Sequence, residues 1–451
     1  TPAGFLTRVA LGNEPVNNTI LGLSANIRKD VPGLTRLLDK LPIVQTKELS
    51  TVQFTGEVAQ LLPGTNPRAR NESYLDDFEA ARTIFDLTRQ PIRWRLGATP
   101  QQFPQGSFQN PLESAYNRAR MSVYSVDPTL YTPGSQGVVS NIDPEQVNRY
   151  VYERYFLPQQ LFPGRSVRPV QLPESILDVA YFPSERGMYN YNTNLDANGF
   201  FPNPKQNFGS VTRAIASDND FDNANIENLT FWLMDPFVGG EAGRLRGITV
   251  PDSSKERGGK LFFNIGDISE DVMKDSRYTF ENGFPIDSTV SARNPGPEQT
   301  VWGRVPPQQF VTNAFQSGGR DRQDVGLDGL GNVAERTRFQ SYLNTIRPRV
   351  TNPVAMSAIE QDPAGDDFKF YLGEEADQQQ SIVGRYKQYM GMENNSPENT
   401  STNQFLTPAS TTLPDIEDLN IDNTINDKEA YYEYELDLRP KQLEVGTNKY
   451  I

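Results

Sequence analysis

The sequence contains no cysteine and no histidine. Without cysteine there is no thiol nucleophile, no disulfide and no zinc–thiolate site. The redox compartment stays open, because a large secreted protein can do without disulfides. Without histidine the chain lacks the usual general base near neutral pH and the commonest transition-metal ligand. Ser–His–Asp chemistry is excluded within this chain, which leaves paired carboxylates or a Lys or Tyr base. Long apolar runs are missing too. No stretch approaches the ~20 apolar residues of a membrane-spanning helix, although a barrel strand leaves a fainter trace. The expectation is a protein without catalytic chemistry.

Positive charge is also in deficit. Forty-three Lys and Arg stand against 57 Asp and Glu, a formal charge of −14. An acidic surface repels phosphate backbones, so no nucleic-acid partner is expected, and it suits hard cations such as Ca²⁺. Glycine and proline are plentiful at 34 each, and only 36% of the 451 residues are hydrophobic. Many short elements joined by ordered loops follow, a habit of all-β proteins. The chain opens on Thr1-Pro2-Ala3-Gly4 with no initiator Met, which reads as a piece of something longer.

Three regions are expected. In residues 1–66, the runs 19–27 (TILGLSANI) and 51–61 (TVQFTGEVAQL) alternate as strands do, the second over the length of a tilted barrel strand. Between them Leu34, Leu37, Leu38 and Leu41 share a face, so 30–41 is a short amphipathic helix. Periodicity alone fits an ordinary hairpin as well as membrane strands.

Residues 67–310 carry strands at 177–182, 226–234 and 260–267, cut by prolines, with a helix at 143–156 capped by Asp143 and opened by Pro144. This patterning suggests a jelly-roll-like β-sandwich with inserted helices. Residues 311–451 are rich in Asp, Asn and Gly, with a helix at 335–346 and a long loop at 394–412. The whole is expected to be mainly β, with a loop-rich calcium-binding region and a place for transmembrane β-barrel strands near the N-terminal end.

The sharpest chemical signal is DLNIDNTINDKE, residues 418–429. It sets Asp418, Asn420, Asp422, Thr424, Asn426 and Glu429 at the first, third, fifth, seventh, ninth and twelfth positions of an EF-hand-type loop. Oxygens at alternate positions can wrap one cation, and the sixth, Asn423, tolerates the left-handed turn needed there. A solvated Asp/Asn-rich loop is the plain alternative.

A second match, DVGLDGLGNVAE at 324–335, supplies Asp324, Asp328, Asn332 and Glu335. Its third position is Gly326, so water or another segment must stand in. The stretch 362–367 (DPAGDD) could donate to either loop or form a turn. A third cluster, Asp76, Asp77 and Glu79 in YLDDFE, reads as structural Ca²⁺ ligands or a glycosidase pair. Among the tryptophans, Trp232 falls in a hydrophobic run and reads as core, while Trp94 and Trp302 are further candidates for a sugar platform. The turn 184–187 (SERG) ahead of YNYN reads as a conformationally exacting loop.

Eight segments in order resemble the SprA/Sov family, the giant outer-membrane translocon of type IX secretion that gliding also requires. They are VPGLTRLLDKLP (31–42), SYLDDFEAARTIFDL (73–87), FPSERGMYNYN (182–192), NIENLTFWLMDPF (225–237), GGKLFFNIGDISEDVMKDSRYTFENG (258–283), QDVGLDGL (323–330), DPAGDDF (362–368) and LPDIEDLNIDNTINDKEAYYEY (413–434). The resemblance implies a segment of a many-stranded barrel that exports folded proteins at the outer membrane or cell surface of a Bacteroidetes bacterium. Its implied partners are the remainder of the barrel, a PorV-like outer-membrane shuttle protein, a plug protein and secreted cargo. It brings no catalytic residues. The competing expectation, read from the jelly-roll patterning and the loops, is a carbohydrate-binding or calcium-dependent adhesive module.

Overall fold

The computed structural model describes residues 17–42, 48–64, 85–131, 142–164, 173–215, 220–223, 226–246, 258–286, 296–312, 314–373, 376, 378–379, 381–389, 413–444 and 446. The chain divides into two compact units, Thr1–Ile84 and Phe85–Ile451.

In the first unit, β1 (Asn17–Asp30) pairs antiparallel with β2 (Thr51–Gly64), and the connection carries α1 (Pro32–Leu38). Both expected strands and the helix are present. Val31 N–H donates to Ser50 O (2.8 Å) and Ser50 N–H to Thr35 Oγ1 (2.8 Å), so the helix closes the hairpin end. Register puts Leu23 opposite Val58, Ala25 opposite Gly56 and Ile27 opposite Phe54. Because side chains alternate, these share one face, while Ser24 with Glu57 and Asn26 with Thr55 lie on the other. The apolar face is uncovered: Leu23, Phe54 and Val58 are 73%, 62% and 68% exposed.

The second unit starts with β3 (Arg95–Leu96) and β4 (Ala119–Tyr124), then α2 (Pro144–Val147), α3 (Pro158–Leu161), β5 (Asp178–Arg186), β6 (Val211–Thr212) and β7 (Lys260–Asp267). It continues through β8 (Glu298–Gln299), β9 (Arg304–Val305), α4 (Arg320–Gln323), α5 (Asn332–Arg338), α6 (Gln340–Ile346), α7 (Pro353–Gln361), α8 (Ile382–Tyr389) and β10 (Ala430–Asp437). The pairs are β3–β6, β4–β5, β8–β9 and β10–β7, all antiparallel. Among the described residues every sheet is two-stranded. The facing sheets of a jelly roll and a closed barrel are not formed among them, and the strands are small antiparallel pairs with helices between. No helix there is long and apolar enough to cross a membrane.

The largest core joins Met121, Val123, Tyr189, Tyr191, Met273, Trp302, Phe339, Leu343 and Ile346. Tyr191 stacks on Phe339 (centroids 3.8 Å apart), so residues on either side of 310 share one interior. A second core stacks Tyr124 on Tyr386 (4.3 Å) and Tyr371 on Tyr386 (4.6 Å), joining β4 to α8. Offset aromatic stacks of this kind add roughly 0.5–1.5 kcal/mol beyond their buried area.

Two local expectations change. The run 226–234 forms no strand, and Trp232 is 84% exposed rather than core, its ring edge-on to Phe162. Alternation makes a strand only where a partner edge accepts the ladder, and none of the described strands does so here. The expected helix 143–156 begins as read, with Asp143 Oδ1 accepting from Glu145 N–H (3.0 Å), but ends at Val147. Beyond it Tyr150 N–H donates to Val147 O (3.1 Å) and Val151 N–H to Ala242 O (2.9 Å). A tertiary acceptor replaces the next helical bond. The helix expected at 335–346 spans α5 and α6, which meet at Phe339. The loop at 394–412 lies outside the described residues.

Candidate functional site

Residues 324–335 and 362–367 come together from different parts of the second unit. Gly326 (φ +70°) and Gly329 (φ +66°) turn the chain left-handed around Asp328, whose Oδ1 accepts Leu330 N–H (2.8 Å). Glu335, in the first turn of α5, reaches across so that its Oε2 accepts Ala364 N–H (2.9 Å). In the facing turn Asp362 Oδ1 accepts Gly365 N–H (2.6 Å) and Asp366 N–H (3.2 Å). Carboxylate oxygens of Glu335, Asp362 and Asp366 thereby lie within 4.8 Å of one another.

Asp366 stands where the third loop position lacks a side chain. A Cβ on Gly326 would collide with Asp366 Oδ2. The DPAGDD turn thus occupies the space beside Gly326. Asp328 (1% exposed) adjoins the group electrostatically, with Glu335 and Asp362 acting on its carboxyl. Burial pushes the Asp328 pKa well up, and burial chiefly lifts Glu335 to about 8. Asn332 Nδ2 donates to Asp367 Oδ2 (2.9 Å) at the rim. Asp324 turns away to pair with Arg320 (2.7 Å).

The loop 418–429 is ordered by its own Asx bonds. Asp418 accepts from Asp422 N–H (3.1 Å) and Asn423 N–H (2.7 Å), and Asp422 Oδ1 accepts from Thr424 N–H (2.8 Å). Asn423 takes φ +64° and Ile421 φ +62°, so the sixth position makes its left-handed turn without glycine. Asn420 Oδ1 accepts Asp422 N–H (2.9 Å), and Asn426 Nδ2 donates to Glu270 Oε2 (2.9 Å). Glu429 Oε2 is buried with no hydrogen-bond partner. Among the described residues the loop's own carboxylates form no three-membered group like that of Glu335, Asp362 and Asp366.

Sequence reasoning missed the residues that tie this loop down. Glu270 Oε1 accepts Leu419 N–H (2.9 Å) and its Oε2 accepts Asn426 N–H (3.1 Å). Glu417, buried, returns the favour to the other segment by accepting Met273 N–H (2.8 Å) and Thr279 N–H (3.0 Å). Glu281, wholly buried, accepts Val325 and Gly326 N–H (2.7 Å each) and Asp415 N–H (2.5 Å). Burial pushes the Glu281 and Glu417 pKa up while these donors pull it down. The segments 258–283 and 413–434 are interlocked by carboxylates and by the β7–β10 ladder. The linear signal is no more than acidic residues set beside apolar ones, as in the sequence ISEDVM.

Asp76, Asp77 and Glu79 lie outside the described residues. Trp302 is a core residue, and Trp94 Nε1 donates to Thr88 O (3.3 Å).

The interlocked C-terminal part carries the signature of a motility- or secretion-related protein: residues 341–451 match the family model SprA_N, described as a motility related/secretion protein. That match supports the assignment of the chain to the SprA/Sov family. It takes in two of the eight resembling segments, 362–368 and 413–434. The comparison with curated proteins gave no match.

Proposed function

We propose that this chain is a non-catalytic structural segment of a giant outer-membrane β-barrel translocon that exports folded proteins. The observation that carries the reading is the β1–β2 hairpin. Each strand has 14 residues, more than the about 9–11 that cross a bilayer at a tilt. One face exposes Leu21, Leu23, Ile27, Phe54 and Val58, and the other is polar at Ser24, Asn26, Thr55 and Glu57 with Ile20 and Leu61 toward its open end, broadly the division between lipid and lumen in a barrel wall. A free hairpin in water leaves such a face without a partner; a bilayer covers it, and neighbouring barrel strands take up its edges. Association with the remaining barrel, a PorV-like shuttle protein, a plug and cargo is part of the proposal, suggested by the family resemblance.

This segment has no cysteine of its own, so single cysteines are introduced into it in cells expressing the full-length protein, with the unsubstituted protein as the labelling blank. Leu23→Cys and Val58→Cys resist a water-soluble maleimide, whereas Ser24→Cys and Glu57→Cys react. Equal labelling of both faces removes the barrel reading. The exposed Trp232 favours, as a second reading, an aromatic sugar platform, which clean glycan-array negatives eliminate.

Calcium in loop 418–429 is part of the proposal. Ligands assembled only in the fold turn binding free energy into folding free energy. Chelation lowers the melting temperature of wild type, and after Asp422→Ala the chelator has little further effect at this loop. An unchanged wild-type melt eliminates a stabilising ion.

A further inference from the structure

We propose that Glu335, Asp362 and Asp366, beside the buried Asp328, hold a divalent cation of the calcium class at a second centre, separate from loop 418–429. The site joins two remote stretches, and its donors are oxygens alone. That set suits a hard cation rather than a thiolate- or imidazole-loving metal. Ca–O bonds of about 2.3–2.6 Å let one ion bridge oxygens up to about 5 Å apart. The oxygens of Glu335, Asp362 and Asp366 fall inside that span.

Two buried groups independently point to a missing ligand. Asp328 Oδ2 has no hydrogen-bond partner, and neither has the hydroxyl of Tyr191, which is 2% exposed. Both are electrostatic neighbours of the cluster: Asp328 of Glu335 and Asp362, and Tyr191 of Asp328, Asp366 and Glu335. A buried oxygen without a partner is costly, more so when charged. Carboxylates converging at such a point repel one another unless a cation or a proton intervenes.

Two guanidinium groups near the cluster are bound to backbone carbonyl oxygens. Arg186 donates to the carbonyl oxygens of Asn190 (2.9 Å), Pro363 (2.5 Å) and Asp362 (3.1 Å), bracing the turn that carries Asp362 and Asp366. Arg304 donates to Gly329 O (2.5 Å) and lies over the Phe284 ring. Gly326 leaves the place that Asp366 Oδ2 fills, so the loop and the turn complete one another.

The test uses the whole chain. Terbium, a calcium surrogate excited through neighbouring tyrosines such as Tyr191, is titrated into wild type, Asp366→Asn and Asp422→Ala and displaced with Ca²⁺. Asp366→Asn weakens one calcium-displaceable component on the order of 100-fold, and Asp422→Ala leaves that component in place. Identical titrations of wild type and Asp366→Asn, or loss only in Asp422→Ala, overturn the proposal. A measurement independent of the Asp366 variant's folding is amide exchange at Ala364, Gly365 and Asp366. Added Ca²⁺ slows it in both wild type and Asp422→Ala. Exchange at these amides that ignores Ca²⁺ shows protons, not a metal ion, settling the cluster.

Discussion

Glu281→Ala lowers the unfolding free energy by roughly 3–6 kcal/mol, the cost of leaving two buried N–H groups and one part-buried one without acceptors. Those groups belong to Val325, Gly326 and Asp415, contributed by two segments remote in sequence. The Glu281 side chain is therefore a junction as well as a buried acid. Part of the loss is returned, because the variant no longer buries a carboxylate. Glu281→Gln separates the two effects. The amide keeps one acceptor oxygen but turns an N–H₂ toward a backbone donor, so its cost falls between wild type and Ala. Glu298→Ala, which removes an exposed ion pair with Arg277, changes stability by about 0.5 kcal/mol or less. Urea denaturation checks the series, and amide exchange reports the location: Val325, Gly326 and Asp415 lose protection first. A Glu281→Ala variant within about 1 kcal/mol of wild type would mean that water replaces the carboxylate at no cost.

Gly187→Ala destabilises by roughly 3 kcal/mol, at the upper end of what overpacking costs. The cause is steric and involves backbone on both sides. The β4–β5 register slips at Ala119/Arg120, where Ala119 pairs with Arg186 but Arg120 with Phe182. That bulge brings the chain after β5 onto β4, and Gly187 N–H donates to Arg118 O (3.1 Å). A Cβ at residue 187 would stand 2.7 Å from the Ala119 carbonyl carbon, closer still to its oxygen. Relief requires the strands to part, which disturbs Asn190, whose Nδ2 holds Arg118 O (2.6 Å) and Tyr116 O (3.1 Å). Gly331→Ala is the matched control, since nothing lies within 4 Å of its added methyl. Thermal melts compare the two. Equal melting temperatures would show that the bulge yields readily and that the SERG turn is permissive.

Much of the local structure was legible. Strict alternation at 19–27 and 51–61 produced β1 and β2, and the leucine spacing at 34, 37, 38 and 41 produced α1. Asp143 and Pro144 marked a true helix start, and KLFFNIGD a true strand. These succeed because period and caps act within a few residues. The failures share one cause. IENLTFWLM has the pattern of a strand but no ladder partner among the described residues, and the 143–156 helix is interrupted by a bond to Ala242. No pattern within a segment announces what another segment will offer it.

The candidate site divides along the same line. The spacing of 324–335 singled out Asp328 and Glu335 as candidate donors and left a gap at Gly326, while the DPAGDD stretch read as either a donor or a plain turn. Composition alone excluded thiol, imidazole and zinc–thiolate chemistry and favoured hard-cation ligation. Tertiary structure decided that Asp366 fills the gap, that Asp324 pairs with Arg320 instead, and that Glu270, Glu281 and Glu417 bind the acidic segments together. The physical reason is range. Side-chain chemistry and backbone periodicity are local properties written in order along the chain. Which buried carboxylate meets which N–H, and where several of them converge, depends on chain closure over separations such as 29 residues (Glu335 to Ala364) and 149 (Glu270 to Leu419), which only packing fixes.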